Sequence, residues 1–179
     1  MEFSQSRTYA NLLAAFAGES QARNKYTYYA SNAKNAGYEQ IGRFFEETAN
    51  NEKEHAEIWF KLLHGGKTPS TAESLQDAAD GEWYEFSEMY KKFAAEAKEE
   101  GYLEISALFS AVGNIEKEHH ERFIKLKENI EKGIVFKRDG VKIWKCLNCG
   151  HIHVGESAPM ACPVCKKPQS YFEIKPDNY

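Results

Sequence analysis

Apolar residues recur every three or four positions along most of the first 131 residues, the spacing that places side chains on one face of an α-helix. Glycines interrupt the pattern and divide it into four long segments. The predicted helices A, B, C and D run from about Arg7 to Asn35, from Tyr38 to Leu63, from near Gly81 to just before Gly101, and from Tyr102 to Lys132. Residues 65–80 are predicted as a crossover loop, with Asp80 as the N-cap of helix C. The pattern therefore predicts a mainly α fold.

The tetrapeptide Glu-Lys-Glu-His occurs twice, at 52–55 and at 116–119, with an offset of 64 residues. Other identities share this offset. They pair Ala33, Lys34, Gly37, Tyr38, Ile41 and Phe45 with Ala97, Lys98, Gly101, Tyr102, Ile105 and Phe109. Helices A–B and C–D are therefore predicted to be two copies of one hairpin. Four helices with one long crossover are typical of a ferritin-like four-helix bundle.

Charged residues interrupt the apolar faces of this predicted bundle. Glu52 and His55 lie on the apolar face of helix B, and Glu116 and His119 lie on that of helix D. An unpaired carboxylate in an apolar core costs several kcal/mol, and several carboxylates would also repel one another. A bound cation removes both problems. Two such Glu-x-x-His pairs predict a dinuclear, carboxylate-bridged metal site.

The other two helices supply further carboxylates. Glu19 lies on the apolar face of helix A, and helix C offers Glu82 and Glu85. A set rich in oxygen ligands with two imidazoles suits iron or manganese better than structural zinc. Two divalent ions carry four positive charges and the five carboxylates carry five negative charges. The site therefore has one carboxylate more than charge balance requires. Glu85 is predicted to be the one that is free to move.

All four cysteines lie near the C-terminus, as Cys146-x2-Cys149 and Cys162-x2-Cys165 with twelve residues between the pairs. Each pair presents two thiolates to one ion, so the four predict a tetrahedral metal site. The spacing does not distinguish zinc from iron. A segment of about 40 residues has too small a core to fold without such a metal, so a structural zinc ribbon is the simplest interpretation.

The composition excludes several classes of partner. The net charge is −4, with 28% charged residues, which argues against nucleic-acid binding. No segment approaches the roughly 18 apolar residues of a membrane span, and the N-terminus lacks the pattern of a secretion signal. We therefore expect a cytoplasmic protein, in a compartment where clustered cysteines bind metal rather than form disulfides.

The motif WKCLNCG…APMACPVCKKPQSYFEI resembles a rubredoxin, with Trp144 before the first cysteine pair, Pro163 inside the second and Phe172 after it. Lys166 stands where free rubredoxins usually have glycine. Together with FAGESQARNKY, NEKEHAEIWF, GEWYEFSEMY and IEKEHHERF, this motif makes essentially the whole chain similar to the rubrerythrins. The resemblance implies a ferritin-like di-iron four-helix bundle over 1–133, a linker or first strand over 134–142, and a rubredoxin-like domain with a mononuclear four-cysteine iron over 143–179.

Rubrerythrins reduce hydrogen peroxide to water, so the resemblance implies a peroxidase that protects against oxidative stress. Its electrons would come from NAD(P)H through a reductase or a rubredoxin-type donor protein and reach the di-iron centre through the four-cysteine iron. The family also forms dimers, so we expect a homodimer or a higher homo-oligomer.

The resemblance also assigns ligand roles. Glu52 and Glu116 correspond to bridging carboxylates, Glu19 and Glu82 to terminal ligands, and His119 to a ligand of one iron. The other iron would exchange Glu85 for His55 on reduction. Tyr26 and Tyr102 are matched to tyrosines that line the family's site, and packed aromatic residues are an equally good interpretation of both.

Three other functions remain open at this point: an iron-oxidising or storage protein of the ferritin kind, a regulatory protein with a zinc ribbon, and a dimanganese catalase. Metal content and the need for external electrons separate them. The remaining histidines (His64, His120, His151 and His153) are not predicted as ligands, and His120 is predicted to be exposed.

Overall fold

The computed structural model describes residues 2–177, and these are mainly helical with a small antiparallel sheet at the C-terminal end. This confirms the predicted fold class. The helices are α1 (Arg7–Asn35), α2 (Glu39–Leu63), α3 (Thr71–Tyr84), a π-helical segment (Glu85–Met89), α4 (Tyr90–Glu99) and α5 (Leu103–Glu131). The strands are β1 (Lys137–Cys146), β2 (Ile152–Ser157) and β3 (Phe172–Ile174), and short 3-10 turns occupy Phe3–Gln5 and Gln169–Tyr171.

The chain divides into two compact units, the first ending at Pro69 and the second beginning at Ser70. The first unit is the hairpin of α1 and α2. Small residues line its interface, where Ala30, Ala33, Ala49 and Ala56 are buried. A Cβ added to Gly42 would lie 2.6 Å from Lys34 Cγ, so only glycine fits this close approach of the two helices.

The second unit begins with a helix that the sequence interpretation placed too late. Helix α3 begins at Thr71, so the predicted loop over residues 65–80 is wrong for its second half. Ser70 accepts a bond from the backbone of Glu73, whose side chain accepts one from the Ser70 backbone, and this capping box nucleates the helix. Asp80 lies inside α3 and accepts a bond from Gln76 Nε2 at 2.7 Å, so it is not an N-cap.

The repeat predicted from the sequence has a counterpart in the helix ends. Gly37 and Gly101 adopt φ values of +84° and +87°, and each follows a helix that ends in the same pattern of backbone bonds. Tyr38 N donates to Ala33 O at 2.9 Å, and Tyr102 N donates to Ala97 O at 2.8 Å. Both hairpins therefore turn in the same way.

The sheet is built around β1, which pairs antiparallel with β2 on one side and β3 on the other. Its core contains Trp144, Cys146, Cys162 and Phe172, all buried, with Ala158 beside them. Trp144 Nε1 donates to Gly155 O at 2.9 Å, which satisfies the polar atom of the largest core side chain.

The ends of the predicted apolar stripes remain accessible in both units. Ile41 and Leu62 of α2 are 49% and 46% exposed, and Ile105 and Leu126 of α5 are 46% and 44% exposed. One neighbouring helix covers only part of a helix surface. In α5 the middle of the stripe, which carries Glu116 and His119, is better covered than its ends, whereas in α2 His55 is as exposed as the ends of its stripe.

Candidate metal centres

The four cysteines meet at one point of the second unit. Cys146 Sγ lies 3.7 Å from Cys165 Sγ, and Cys149 Sγ lies 3.6 Å from Cys162 Sγ. Sulfur atoms about 2.3 Å from a tetrahedral metal lie about 3.8 Å apart, so this spacing fits one four-thiolate ion. Cys146 and Cys162 are buried, while Cys149 is exposed, so the metal would lie near the surface on one side.

The two cysteine pairs have nearly the same backbone structure. Gly150 N donates to Cys146 O at 2.9 Å, and Lys166 N donates to Cys162 O at 3.0 Å. Gly150 and Lys166 both have a left-handed backbone, with φ values of +76° and +63°. This conformation aims the next amide at the preceding sulfur, so His151 donates to Cys149 and Lys167 donates to Cys165.

These contacts make the thiols unequal. The backbone N–H of Lys167 lowers the pKa of Cys165 to about 6, despite partial desolvation. The backbone N–H of His151 lowers the pKa of Cys149, but desolvation and the neighbouring thiols outweigh it and raise that pKa to about 12. The Cys165 thiolate therefore forms easily while the Cys149 thiol stays protonated, because crowded thiols resist carrying several negative charges before a cation binds.

The first unit brings together Glu19, Glu52 and His55, here called the first ligand group. Their ligand atoms all lie within 4.8 Å of one another. His55 Nδ1 is 2.9 Å from Glu52 Oε2 and 3.9 Å from Glu19 Oε1. Glu52 and His55 lie three residues apart on α2 and therefore share one face of the helix. Glu19 of α1 faces them.

The second unit repeats it with Glu82, Glu116 and His119, here called the second ligand group. His119 Nδ1 is 2.8 Å from Glu116 Oε2 and 3.6 Å from Glu82 Oε2. Glu82 lies one residue before the position that the offset of 64 pairs with Glu19. The second hairpin is therefore shifted by one residue relative to the first at this ligand, since Trp83 stands at the position that the offset pairs with Glu19.

Electrostatics in the second group favour a bound cation. Burial raises the pKa of Glu82, the nearby Glu116 and Glu85 raise it further, and His119 opposes them. Carboxylates held this close repel one another unless a proton or a cation lies between them. Two oxygen ligands and one imidazole in each group form a donor set that suits iron or manganese.

The remaining predicted site residues lie outside the two groups. Glu85 is the first residue of the π-helical segment and acts on Glu82 through its charge. Tyr26 packs against the rings of Tyr29 and Phe45 in the first unit. Tyr102 precedes α5 and is 58% exposed, 14 residues and thus about 21 Å along the helix from Glu116.

Sequence reasoning missed Tyr90, a tyrosine close to the second group. Burial raises the pKa of Tyr90, and the charges of Glu85, Glu116 and Glu82 raise it further. A regular α-helix would place Tyr90 on a different face from Glu82. The π-helical segment Glu85–Met89 adds about one residue to one turn of the helix. The eight residues from Glu82 to Tyr90 therefore rotate the chain by about as much as seven residues of a regular α-helix. Glu82 and Tyr90 then lie on the same face. The sequence pattern gave no sign of this segment.

His120 was also misjudged. It is partly buried, and its Nδ1 lies 2.8 Å from Ala79 O of α3. Its ring lies 5.2 Å from that of Trp83. The prediction that His120 is exposed is therefore wrong, because α3 starts early enough to cover it. His64, by contrast, bonds to Phe60 O within its own helix, at 2.7 Å.

No described helix is both long and apolar enough to cross a lipid bilayer.

Comparisons with known proteins agree with both centres. Residues 10–127 match the family model described as Rubrerythrin, and residues 144–173 match that of the rubrerythrin rubredoxin-like domain. The chain is 46% identical to rubrerythrin of Porphyromonas gingivalis, covering 97% of this chain and 92% of that protein. It is 44% identical to rubrerythrin-1 of Clostridium acetobutylicum, covering 97% of each.

A solved structure of nigerythrin in a mixed-valence state is 35% identical and covers 97% of this chain and 89% of that one, with a TM-score of 0.36.

Proposed function

This chain belongs to the rubrerythrin family, and from that membership we propose that it reduces hydrogen peroxide to water with electrons delivered by another protein. Its family makes it an oxidoreductase-like iron protein with a di-iron domain and a mononuclear four-cysteine iron. The substrate and the source of electrons are the proposed part.

One observation carries the proposal: the same chain holds a four-thiolate site and two carboxylate–histidine groups. Reduction of one peroxide to two water molecules consumes two electrons and two protons, so continued turnover requires a supply of electrons. A four-cysteine iron is a one-electron carrier. Disproportionation of peroxide and simple iron storage have no need of that carrier, and a zinc ribbon leaves the carboxylate–histidine groups unexplained.

We propose that the two ligand groups supply the iron ligands of the di-iron domain, with Glu52 and Glu116 in the roles of bridging carboxylates that the resemblance to the family implies. Glu19, Glu82 and His119 would complete the constant ligands. Support comes from the matching geometry, since His-to-Glu distances of 2.9 and 2.8 Å recur in two copies of one hairpin. Glu85 and His55 would exchange as ligands of one iron on reduction. Iron held by these residues would supply two electrons for cleavage of the O–O bond, and iron held by the four cysteines would supply the replacement electrons one at a time.

The protein's own side chains have defined tasks in this reaction. The carboxylates would hold the cations and offset their charge, which removes the repulsion from Glu116 that helps to raise the pKa of Glu82 when no cation is bound. Tyr90, beside the same carboxylates and with a raised pKa, stays protonated and can donate a hydrogen bond toward bound peroxide. Tyr26 packs against Tyr29 and Phe45, and Tyr102 lies about 21 Å along the helix from Glu116, so we propose no proton or hydrogen-bond step for either tyrosine.

Electron transfer with a redox partner is implied by the rubredoxin-like domain. We propose a rubredoxin-type protein or an NAD(P)H-dependent reductase as that donor, and a cytoplasmic homodimer or higher homo-oligomer as the working form. Exposed Cys149 lies on the surface where such a donor would approach.

The direct test couples the iron-loaded protein to NADPH and a rubredoxin reductase system and follows NADPH loss on addition of peroxide. We expect rapid peroxide-dependent loss and a much slower reaction with dioxygen. Cys149→Ser should abolish NADPH loss by breaking electron supply, and His119→Ala should abolish it by breaking the di-iron centre. Peroxide loss without NADPH loss would favour disproportionation and contradict the proposal.

A further inference from the structure

We infer that His120 is a positioning residue that makes the second ligand group (Glu82, Glu116 and His119) the tighter of the two metal sites. The inference rests on the proposal that both groups bind metal, and it does not depend on the reaction with peroxide. His120 belongs to neither group, and the resemblance to the family gave it no role.

His120 joins the two helices that carry the second group. Its Nδ1–H donates to Ala79 O, 2.8 Å away across a gap of 41 residues. Ala79 is fully buried, and the Trp83 ring packs against the imidazole at 5.2 Å between centroids. Both neutral histidine with a proton on Nδ1 and protonated histidine can make this bond, so a charge is not required. The bond is short and shielded, unlike one between surface side chains.

The position of this bond matters because it lies beside the ligands. Ala79 precedes Glu82 by three residues, so it lies one turn away on the same side of α3. His120 directly follows the ligand His119 on α5. A fixed link between Ala79 and His120 therefore fixes how far Glu82 can slide or turn relative to His119. Glu82 Oε2 lies 3.6 Å from His119 Nδ1.

The first ligand group is held differently. The offset of 64 pairs His120 with Ala56, which is buried and has no side-chain donor. Near that group the hairpin is linked by Arg23 Nη1 donating to Asn50 Oδ1 at 3.1 Å, a solvent-exposed bond between a partly buried arginine and an exposed asparagine. Its histidine, His55, lies farther from the facing carboxylate, at 3.9 Å.

The ligands of the second group are also less exposed to solvent than the corresponding ligands of the first group. In the second group the side chains of His119, Glu82 and Glu116 are 36%, 23% and 13% exposed. In the first group those of His55, Glu19 and Glu52 are 51%, 28% and 16% exposed. Ligands already held in place lose less freedom when a cation binds, and residues that support ligands typically change metal affinity by about 10- to 100-fold. The second group should therefore fill first.

The test is a metal titration of the full-length protein. Its cysteine site is first filled with Zn²⁺, which absorbs no visible light, and excess zinc is removed with a chelator. Co²⁺ is then added without oxygen, and its visible d–d absorption reports binding to the carboxylate–histidine groups. The wild-type protein should bind in two steps, the tighter lost in His119→Ala and the weaker lost in His55→Ala.

His120→Ala, which copies Ala56 of the other hairpin, should weaken the tighter step by about tenfold and bring the two steps together. His120→Asn should restore it to within about threefold, because the asparagine amide nitrogen can occupy the place of Nδ1. His64→Ala is the matched control. It removes a histidine–carbonyl bond of 2.7 Å that lies within one helix, so both steps should stay unchanged.

The possible results separate clearly. An unchanged tight step in His120→Ala, or a tight step that belongs to His55, overturns the role of His120. Should His120→Ala fail to fold, the asparagine variant decides, since loss of the tight step in folded His120→Asn contradicts the inference. Absence of Co²⁺ binding in the wild-type protein would overturn the ligand groups themselves, and with them the proposed di-iron centre.

Discussion

Single residues determine how the four-cysteine site is built. Lys166 and Gly150 occupy equivalent places after the last cysteine of each pair, and both have left-handed backbones. Of the described non-glycine residues, Lys166 alone has a positive φ. The conformation is required because it directs the amide of Lys167 to Cys165. Lys166 Nζ donates to Pro163 O at 2.9 Å, and this bond offsets part of the strain of the left-handed backbone.

We predict that Lys166→Gly stabilises the second unit by about 1 kcal/mol, because a left-handed backbone costs a residue with a Cβ about 1–2 kcal/mol and glycine almost nothing. The measurement is urea unfolding of zinc-loaded protein followed by the signal of Trp144. Gly150→Ala, the matched change in the other cysteine pair, should destabilise by a similar amount. Equal stability of wild type and Lys166→Gly would show that the bond to Pro163 O fully offsets the strain.

Glu82 leads to a prediction about pH. Burial, followed by the neighbouring Glu116, raises its pKa above the ordinary 4.5, so folding favours the protonated form. That contribution to stability is present below the ordinary pKa and is lost as pH rises through the raised pKa. With the carboxylate–histidine groups free of metal, Glu82→Gln should therefore be more stable than wild type at pH 7, by less than about 1 kcal/mol.

The difference should shrink as pH falls toward 5, which urea unfolding at several pH values can measure. The same variant should bind Co²⁺ more weakly, because an amide replaces a carboxylate ligand. A Gln variant less stable than wild type at pH 7 would mean that Glu82 makes a favourable contact that outweighs its burial.

At this scale the sequence predicted which glutamates, histidines and cysteines lie together, but it did not indicate that Tyr90 and His120 lie beside them. The spacings of Glu52 and His55, and of Cys146 and Cys149, are chemical signals in themselves. Tyr90 and His120 gave no such signal, because their roles depend on which helix faces theirs and on a local change of helical pitch.

Among the elements, the segment from α3 to α4 departs most from the prediction. The early start of α3 was readable in Ser70 and Glu73, which form a capping box, but the proline at position 69 and the small polar residues around it favoured a loop. No feature of the sequence predicted the π-helical turn. It adds one residue without a change in hydrophobicity, and only the packing against α5 shows it.

We predict that deletion of Ser87, inside the π-helical segment, restores a regular α-helix and turns Glu82 by about 100° relative to α4. Helix content by circular dichroism should be unchanged, while Co²⁺ binding to the second ligand group should be lost. Ser87→Ala is the control. The Ser87 hydroxyl is buried without a partner among the described residues, so its removal should not weaken metal binding. A deletion variant that binds Co²⁺ normally would show that the segment does not position Glu82.

The chain consists of two copies of a helical hairpin followed by a small sheet that carries the four-cysteine site. The duplication was visible in the sequence because the offset of 64 runs through caps, turns and ligands alike, and both hairpins end in the same backbone bonds. The four-cysteine site was equally visible from spacing. Iron rather than zinc followed from the family and not from the spacing, since both metals accept the same tetrahedron of thiolates.

For the molecule as a whole, we propose that peroxide reduction at the carboxylate–histidine groups draws electrons from the four-cysteine iron of the same protein. The most direct measurement begins with iron-loaded protein fully reduced without oxygen. One equivalent of hydrogen peroxide is mixed in, and the visible absorption of the ferric four-cysteine iron is followed by stopped flow. We predict that the colour returns rapidly, that dioxygen restores it much more slowly, and that Glu52→Ala and His119→Ala prevent the rapid phase. A wild-type protein that stays bleached after peroxide would contradict electron transfer from the four-cysteine iron to the carboxylate–histidine groups.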